Sequence, residues 1–238
     1  MSLTLYFHPV SQPSRSVLAF LRLTGIPYEI KVIDIMRGES RSPEYAKINP
    51  AMTVPAIDDD GFILGESEAI VRYLINSRKV GEEFYPSDPK VRAQVDKYFP
   101  FHHNTVRPQF SKCFMATYID LLPPEYADYG LKKYQEDAGN CLKQFEELYL
   151  KDQKYIAGDV LTIADIFLLS ELTLAAFHTD FSFKDYPKTK AYMERCLENK
   201  ILKEVSDMTN ELPKIAKELR EEMKAQGSQS TDTCQEKK

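Results

Sequence analysis

Ser11, Gln12, Pro13 and Ser14 stand in a row between two apolar runs. Leu3 to Phe7 reads as a short strand, and Val17, Leu18, Phe20, Leu21 and Leu23 mark an apolar helix. Pro13 suits a first helical turn, where its missing N–H would go unpaired in any residue. A serine hydroxyl at such a helix start has two uses. It caps the helix by accepting from a free backbone N–H. It also donates to an anion that those N–H groups and the helix dipole already favour. The thiolate of a bound molecule is such an anion. A free thiol has a pKa of about 8.5, and each unit of depression needs about 1.4 kcal/mol. One charge-assisted bond plus a helix terminus therefore lowers it by roughly one to three units.

Two further features follow in order. Val54-Pro55 opens a strand on a proline, which removes a donor and admits a cis bond. A cis bond there turns the Val54 backbone outward, as an edge with which an extended peptide can pair. Glu66-Ser67 begins the next helix, with Ser67 expected as its N-cap. The free N–H groups there accept a carboxylate, and Glu66 takes an ammonium group. Each feature has a plainer reading by itself: a cap, a turn, a cap. In sequence they ask for a thiol, an extended backbone and an amino-acid head group, which together describe a γ-glutamyl tripeptide thiol.

The elements that position these residues are legible in outline. Gly25 stops the first helix and Pro27 bars its continuation. Tyr28 to Ile35 alternates as a second strand, so the first unit is a strand–helix–strand crossover that builds a parallel pair. A short helix over residues 42–48 ends at Asn49-Pro50. Strands at 54–57 and 62–64 flank Asp60-Gly61, a hairpin signal. A helix from Glu66 carries Ile70, Tyr73 and Leu74 on one face. The order is β-α-β-α-β-β-α. Beyond residue 89 only helical patterns are convincing, over 90–119, 124–149, 162–178 and 187–221. Pro100 and Pro108 are expected to bend or break the first of these. Thr162 to Asp165 has the spacing of a capping box, with Leu161 and Ile166 as its hydrophobic staple. The apolar run that follows marks a central buried helix. The expected fold class is α/β plus all-α. Residues 1–78 form the first domain, 79–89 a linker, 90–223 an all-helical domain and 224–238 a disordered polar tail.

Composition excludes several classes. A net charge of −5 offers no basic footprint for nucleic acid. No apolar stretch approaches a membrane span, and the first ten residues lack a signal-peptide pattern, so a cytoplasmic protein is expected. Cys113, Cys141, Cys196 and Cys234 are scattered, without zinc spacing, and read as reduced thiols. His8, His102, His103 and His178 are not at ligand spacing, and no metal is expected.

The chain resembles glutathione transferases over about residues 1–220, most closely the theta class. The resemblance rests on Leu5-Tyr6, Ser11-Gln12-Pro13-Ser14-Arg15, Asn49-Pro50, Val54-Pro55-Ala56, Gly65-Glu66-Ser67-Glu68-Ala69-Ile70, Tyr85-Pro86 and Leu161-Thr162-Ile163-Ala164-Asp165. It implies a thioredoxin-like domain (βαβαββα) followed by a helical bundle, usually as a homodimer. Serines stand where thioredoxin-like proteins carry a Cys-x-x-Cys pair, so the site itself cannot exchange disulfides. The resemblance implies glutathione as co-substrate, Ser11 as the catalytic residue that bonds its sulfur, and Gln12 beside it. Val54 pairs with the cysteinyl unit, and Glu66 and Ser67 hold the γ-glutamyl head. Ser40 and Thr53 stand where the theta pattern often has His and Lys against the glycine carboxylate, with Arg37 and Arg41 as alternative partners. Asn104 and Arg107 border the electrophile pocket, with Arg107 a contact for an anionic substrate or leaving group. Small halides, epoxides, peroxides and sulfate esters are the implied electrophiles. Tyr6 is the rival activator, since other classes use an early tyrosine. A non-catalytic interaction module and a carrier of apolar ligands are the competing functions.

Overall fold

The computed structural model describes residues 2–121, 131–179 and 181–235, with side chains placed as far as residue 225. Strand β1 (Leu3–Phe7) is followed by α1 (Gln12–Thr24), β2 (Glu29–Val32), α2 (Pro43–Ile48), β3 (Ala56–Asp59), β4 (Phe62–Gly65) and α3 (Ser67–Arg78). The sheet order is β2-β1-β3-β4. The β1–β2 pair is parallel, as the crossover requires, and the other two pairs are antiparallel. Alternation along β1 sends Leu3, Leu5 and Phe7 into the main core. Tyr6 goes to the other face, in a small cluster with Ile33, Tyr45 and Ala56.

Local signals explain most boundaries. Gly25 takes the left-handed conformation that ends α1. Asp60 and Gly61 both have positive φ, as a tight hairpin turn demands. The second strand is shorter than the expected 28–35. All four of its residues are exposed, and after Val32 the chain turns away through Asp34, which accepts from the Arg37 backbone. Glu66, not Ser67, occupies the N-cap of α3. Its φ of 62° and ψ of 106° lie outside the helical region, and it makes no side-chain capping bond.

The helical part contains α4 (Pro89–Phe101), α5 (Arg107–Thr117), α6 (Leu131–Leu148), α7 (Ile163–His178), α8 (Pro187–Leu197), α9 (Lys200–Asp207) and α10 (Leu212–Gln235). A π turn over His102–Val106 joins α4 to α5 just after Pro100, and Pro108 falls in the first turn of α5. The expected start of α6 at 124–130 lies outside the described residues. The single helix expected over 187–221 is instead broken. Asn199 turns its side chain onto the backbone N–H groups of Ile201 and Leu202 and starts α9 afresh. Helix α10 continues through Gln235, into the stretch expected as a disordered tail, and residues 236–238 lie outside the described ones.

Helix α7 is the centre of the helical part, buried from Ile163 to Ala175. Asp165 closes the capping box at its start, accepting from the Thr162 backbone (2.7 Å) and hydroxyl (2.8 Å). It also accepts from the Ile156 N–H and the Tyr192 hydroxyl, both at 2.9 Å. Helix α1 packs on α7 through a polar seam. Arg15, fully buried, donates to Pro9 O (2.8 Å), Val10 O (3.0 Å) and Ser170 O (2.6 Å). Ser16 donates to the Ser170 hydroxyl beside it.

Candidate active site

The start of α1 is built as its sequence requires. Ser11 is extended and caps the helix, its Oγ accepting from the Ser14 N–H at 3.3 Å. The same hydroxyl donates to Val54 O at 3.4 Å. Both bonds are long, so the hydroxyl is held weakly. Val54 precedes β3 and is joined to Pro55 by a cis peptide bond. Thr53 O is held from behind by the Tyr45 hydroxyl and the Asn49 amide, both at 2.8 Å.

A cavity of about 200 Å³ lies between the two parts of the chain. Pro13 and Ser16 of α1, Thr53 to Pro55, and Glu66-Ser67 form one wall. His102, His103 and Arg107, from the π turn and the start of α5, form the other, with Phe167 and Glu171 of α7. Of the expected glutathione contacts, Thr53, Val54, Glu66 and Ser67 meet here. Ser11 and Gln12 are buried beside the cavity without lining it. Ser40 is buried in a tight turn of its own, away from it. Arg37, the alternative carboxylate partner, is already committed to Asp34 and Glu222. Of the two electrophile-pocket residues, Arg107 lines the cavity. Asn104 is exposed and donates to Pro100 O on its own helix. Tyr6 packs edge-on against Tyr45 and does not line the cavity.

Glu66 carries the backbone cost of the site. A non-glycine residue at positive φ costs on the order of 1–3 kcal/mol. Here it lies immediately before the free N–H groups of α3. Glu68, in the first turn of that helix, reaches His103 at 3.0 Å and pairs with Arg72, which also holds Asp96 of α4. These pairs tie the two walls together.

Lining residues that escaped the sequence reading include His102, His103, Phe167 and Glu171. The His102 Nδ1 meets the Tyr98 hydroxyl at 3.0 Å, and burial holds its pKa well below the usual value, so the ring is neutral. Glu171 is 1% exposed. Its Oε1 accepts from Arg107 at 2.7 Å, and the Gln12 side chain also bonds the carboxylate. Burial raises its pKa, against the pull of Arg107 and then Arg15. Burial likewise lowers Arg15, to about 10. The sequence signal was there: besides Asp165, Glu171 is the one acid in the apolar run of α7. Among the described residues, no group of three or more His, Cys, Asp or Glu side chains is placed to hold a metal. Cys113, Cys141 and Cys196 are buried free thiols whose pKa burial raises.

The family model described as the glutathione S-transferase N-terminal domain matches residues 5–81, and the C-terminal domain model matches residues 114–200. Glutathione S-transferase theta-3 of Mus musculus is 31% identical over 204 residues, covering 82% of each chain. Theta-1 of Homo sapiens is 30% identical over 200 residues, again covering 82% of each. Among solved structures, human theta-2 in complex with glutathione and an unknown ligand superposes with a TM-score of 0.79 at 28% identity. It covers 92% of this chain and 91% of its own. A human theta-class enzyme with the glutathione conjugate of 1-menaphthyl sulfate gives 0.76 at 28% identity, covering 90% and 91%.

Proposed function

Because this chain belongs to the glutathione S-transferase family, we propose that it forms the thiolate of glutathione beside Ser11 and transfers it to a small electrophile. The observation that carries this reading is the cavity itself. It joins Val54, just ahead of β3, the Glu66-Ser67 helix start and the α5–α7 wall, with the weakly held Ser11 hydroxyl against Val54. In this reading the Ser11 hydroxyl exchanges its 3.4 Å bond to Val54 O for a bond to sulfur. The thiol proton leaves to solvent, and the helix start favours the anion that remains. The thiolate then attacks carbon, forming the C–S bond as halide or sulfate departs with its electron pair or an epoxide C–O bond opens. Proximity and a ready nucleophile are the protein's contribution.

The remaining roles follow the same reading. Val54 pairs with the cysteinyl backbone, Glu66 takes the α-ammonium and the α3 start the α-carboxylate. Gln12 supports the sulfur end, Thr53 and Ser40 serve the glycine end, and Asn104 and Arg107 border the electrophile. Residues 1–78 form the glutathione-binding unit, 79–89 the linker and 90–223 the helical unit. A cytoplasmic homodimer that detoxifies electrophiles completes the proposal.

Calorimetry of glutathione binding at pH 7, with proton release measured in two buffers, tests it. Wild type binds with proton release, and Ser11→Ala binds without it and loses conjugation by about tenfold or more, the worth of one charge-assisted bond. Tyr6→Phe is the control for the rival activator. If it abolishes proton release while Ser11→Ala does not, the assignment of Ser11 is wrong.

A further inference from the structure

Glu171 is an anomaly that thiolate formation does not use. A carboxylate 1% exposed, on an otherwise apolar helix, is costly unless its oxygens are paired. Oε1 accepts from Arg107, and the Gln12 side chain also bonds the carboxylate. The residue lines the cavity. The opposite wall carries Glu66. The nearest histidine, His102, stands 4.0 Å from Oε1 and is neutral. His103 is turned to Glu68. Arg107 is the one cationic guanidinium among the lining residues, and it is paired with Glu171, which the buried Arg15 behind the wall also faces.

We propose that Glu171 is a specificity-determining residue of the electrophile pocket: paired with Arg107 at the cavity wall, it offsets the charge of that guanidinium and disfavours anionic electrophiles relative to neutral ones. The inference deepens the conjugation reading and rests on it. Arg107 alone would attract carboxylates and sulfates, since guanidinium forks suit them. An adjacent buried carboxylate turns the same wall against them by like-charge repulsion, which is how selectivity is built by exclusion. In the reaction itself the C–S bond forms and the leaving group departs with its electron pair. Glu171 exchanges no proton in that step and acts on which molecule is held.

The test is a matched pair, 4-(chloromethyl)benzamide and 4-(chloromethyl)benzoate, which differ by a neutral donor group against an anion. Chloride release with saturating glutathione gives kcat/KM for each. Wild type prefers the benzamide. Glu171→Gln keeps the side-chain shape and leaves Arg107 unmatched, so the ratio moves toward the benzoate by about tenfold, or ~1.4 kcal/mol. Arg107→Gln moves it by a similar factor toward the benzamide. Thermal unfolding and glutathione binding verify that each variant is folded. If Glu171→Gln does not fold, Arg107→Gln decides. A ratio within about twofold of wild type in the folded variants overturns the inference. A purely structural Glu171 would lower both rates together and leave the ratio unmoved. Wild type that binds no glutathione and releases no chloride from either compound overturns the conjugation reading, and this inference with it.

Discussion

Replacing Asp165 removes an acceptor at which four donors converge. Oδ2 takes the Thr162 N–H and hydroxyl, and Oδ1 takes the Ile156 N–H and the Tyr192 hydroxyl. The site is fully buried, so water is not at hand to replace the carboxylate. A lost N-cap alone costs about 0.5–2 kcal/mol. Here Asp165→Ala also orphans two buried backbone N–H groups, each worth about 1–3 kcal/mol. Relief of the buried charge offsets part of this. The net expectation is about 3–5 kcal/mol for alanine, a large share of the roughly 5–15 kcal/mol that holds a domain folded. Asp165→Asn keeps one acceptor oxygen. The Thr162 and Tyr192 hydroxyls can rotate to accept from the new amide, but a backbone N–H cannot, so one of the two is left facing an NH₂ group. That costs about 1–3 kcal/mol. Urea unfolding with unchanged slope reads both values. An alanine variant that loses less than about 2 kcal/mol would mean that the outer two donors contribute nothing beyond the cap, and the reasoning would be wrong.

Gly81 has φ of 78°, and a Cβ there would lie 3.0 Å from the Phe20 ring and 3.3 Å from Thr24. Gly81→Ala is therefore expected to lose about 1–3 kcal/mol in the same urea assay, through backbone strain and displacement of Phe20. Burial lowers the pKa of His8, His102 and His178. The unfolded chain then takes up protons first, near its ordinary pKa of about 6.5. Stability falls as the pH drops below that value, by up to ~1.4 kcal/mol per pH unit for each histidine. The raised carboxyls of Asp165 and Glu171 act in the opposite sense. The difference between wild type and His102→Gln, from pH 7.5 to 5.5, isolates one histidine. A variant whose pH dependence is as steep as wild type refutes the assignment.

What the sequence made legible was whatever depends on neighbours along the chain. Ser11-Gln12-Pro13 announces a helix start, Gly25 its end, Asp60-Gly61 a turn, and Thr162 to Asp165 a capping box. Each is fixed by backbone geometry within a few residues. Features that depend on distant partners were not legible. Arg37 is drawn to Glu222, 185 positions away, and is lost to the glycine end of the site. Glu171 and Arg107 are 64 positions apart and become a pair only when α5 lies against α7. Ser67 looked like the cap of α3 because serine favours that position, but the chain spends a left-handed residue at Glu66 instead. Asn104 shares a helical turn with Arg107, yet its side chain stays on its own helix.

The seam made by Arg15 bears on how the halves of the chain can be inherited. One guanidinium from α1 binds carbonyls on both sides of the boundary, and it does so with its charge buried. Neither half could be separated from the other without stranding that charge or leaving its acceptors empty. The two parts are therefore expected to melt in one calorimetric transition rather than as beads on a string. A chimera that joins the first 78 residues to a foreign helical half would fold only where that half supplies an equivalent of the Ser170 carbonyl. Substitutions along α1 and α7 are thus constrained jointly, although 154 residues separate Ser16 from its partner Ser170.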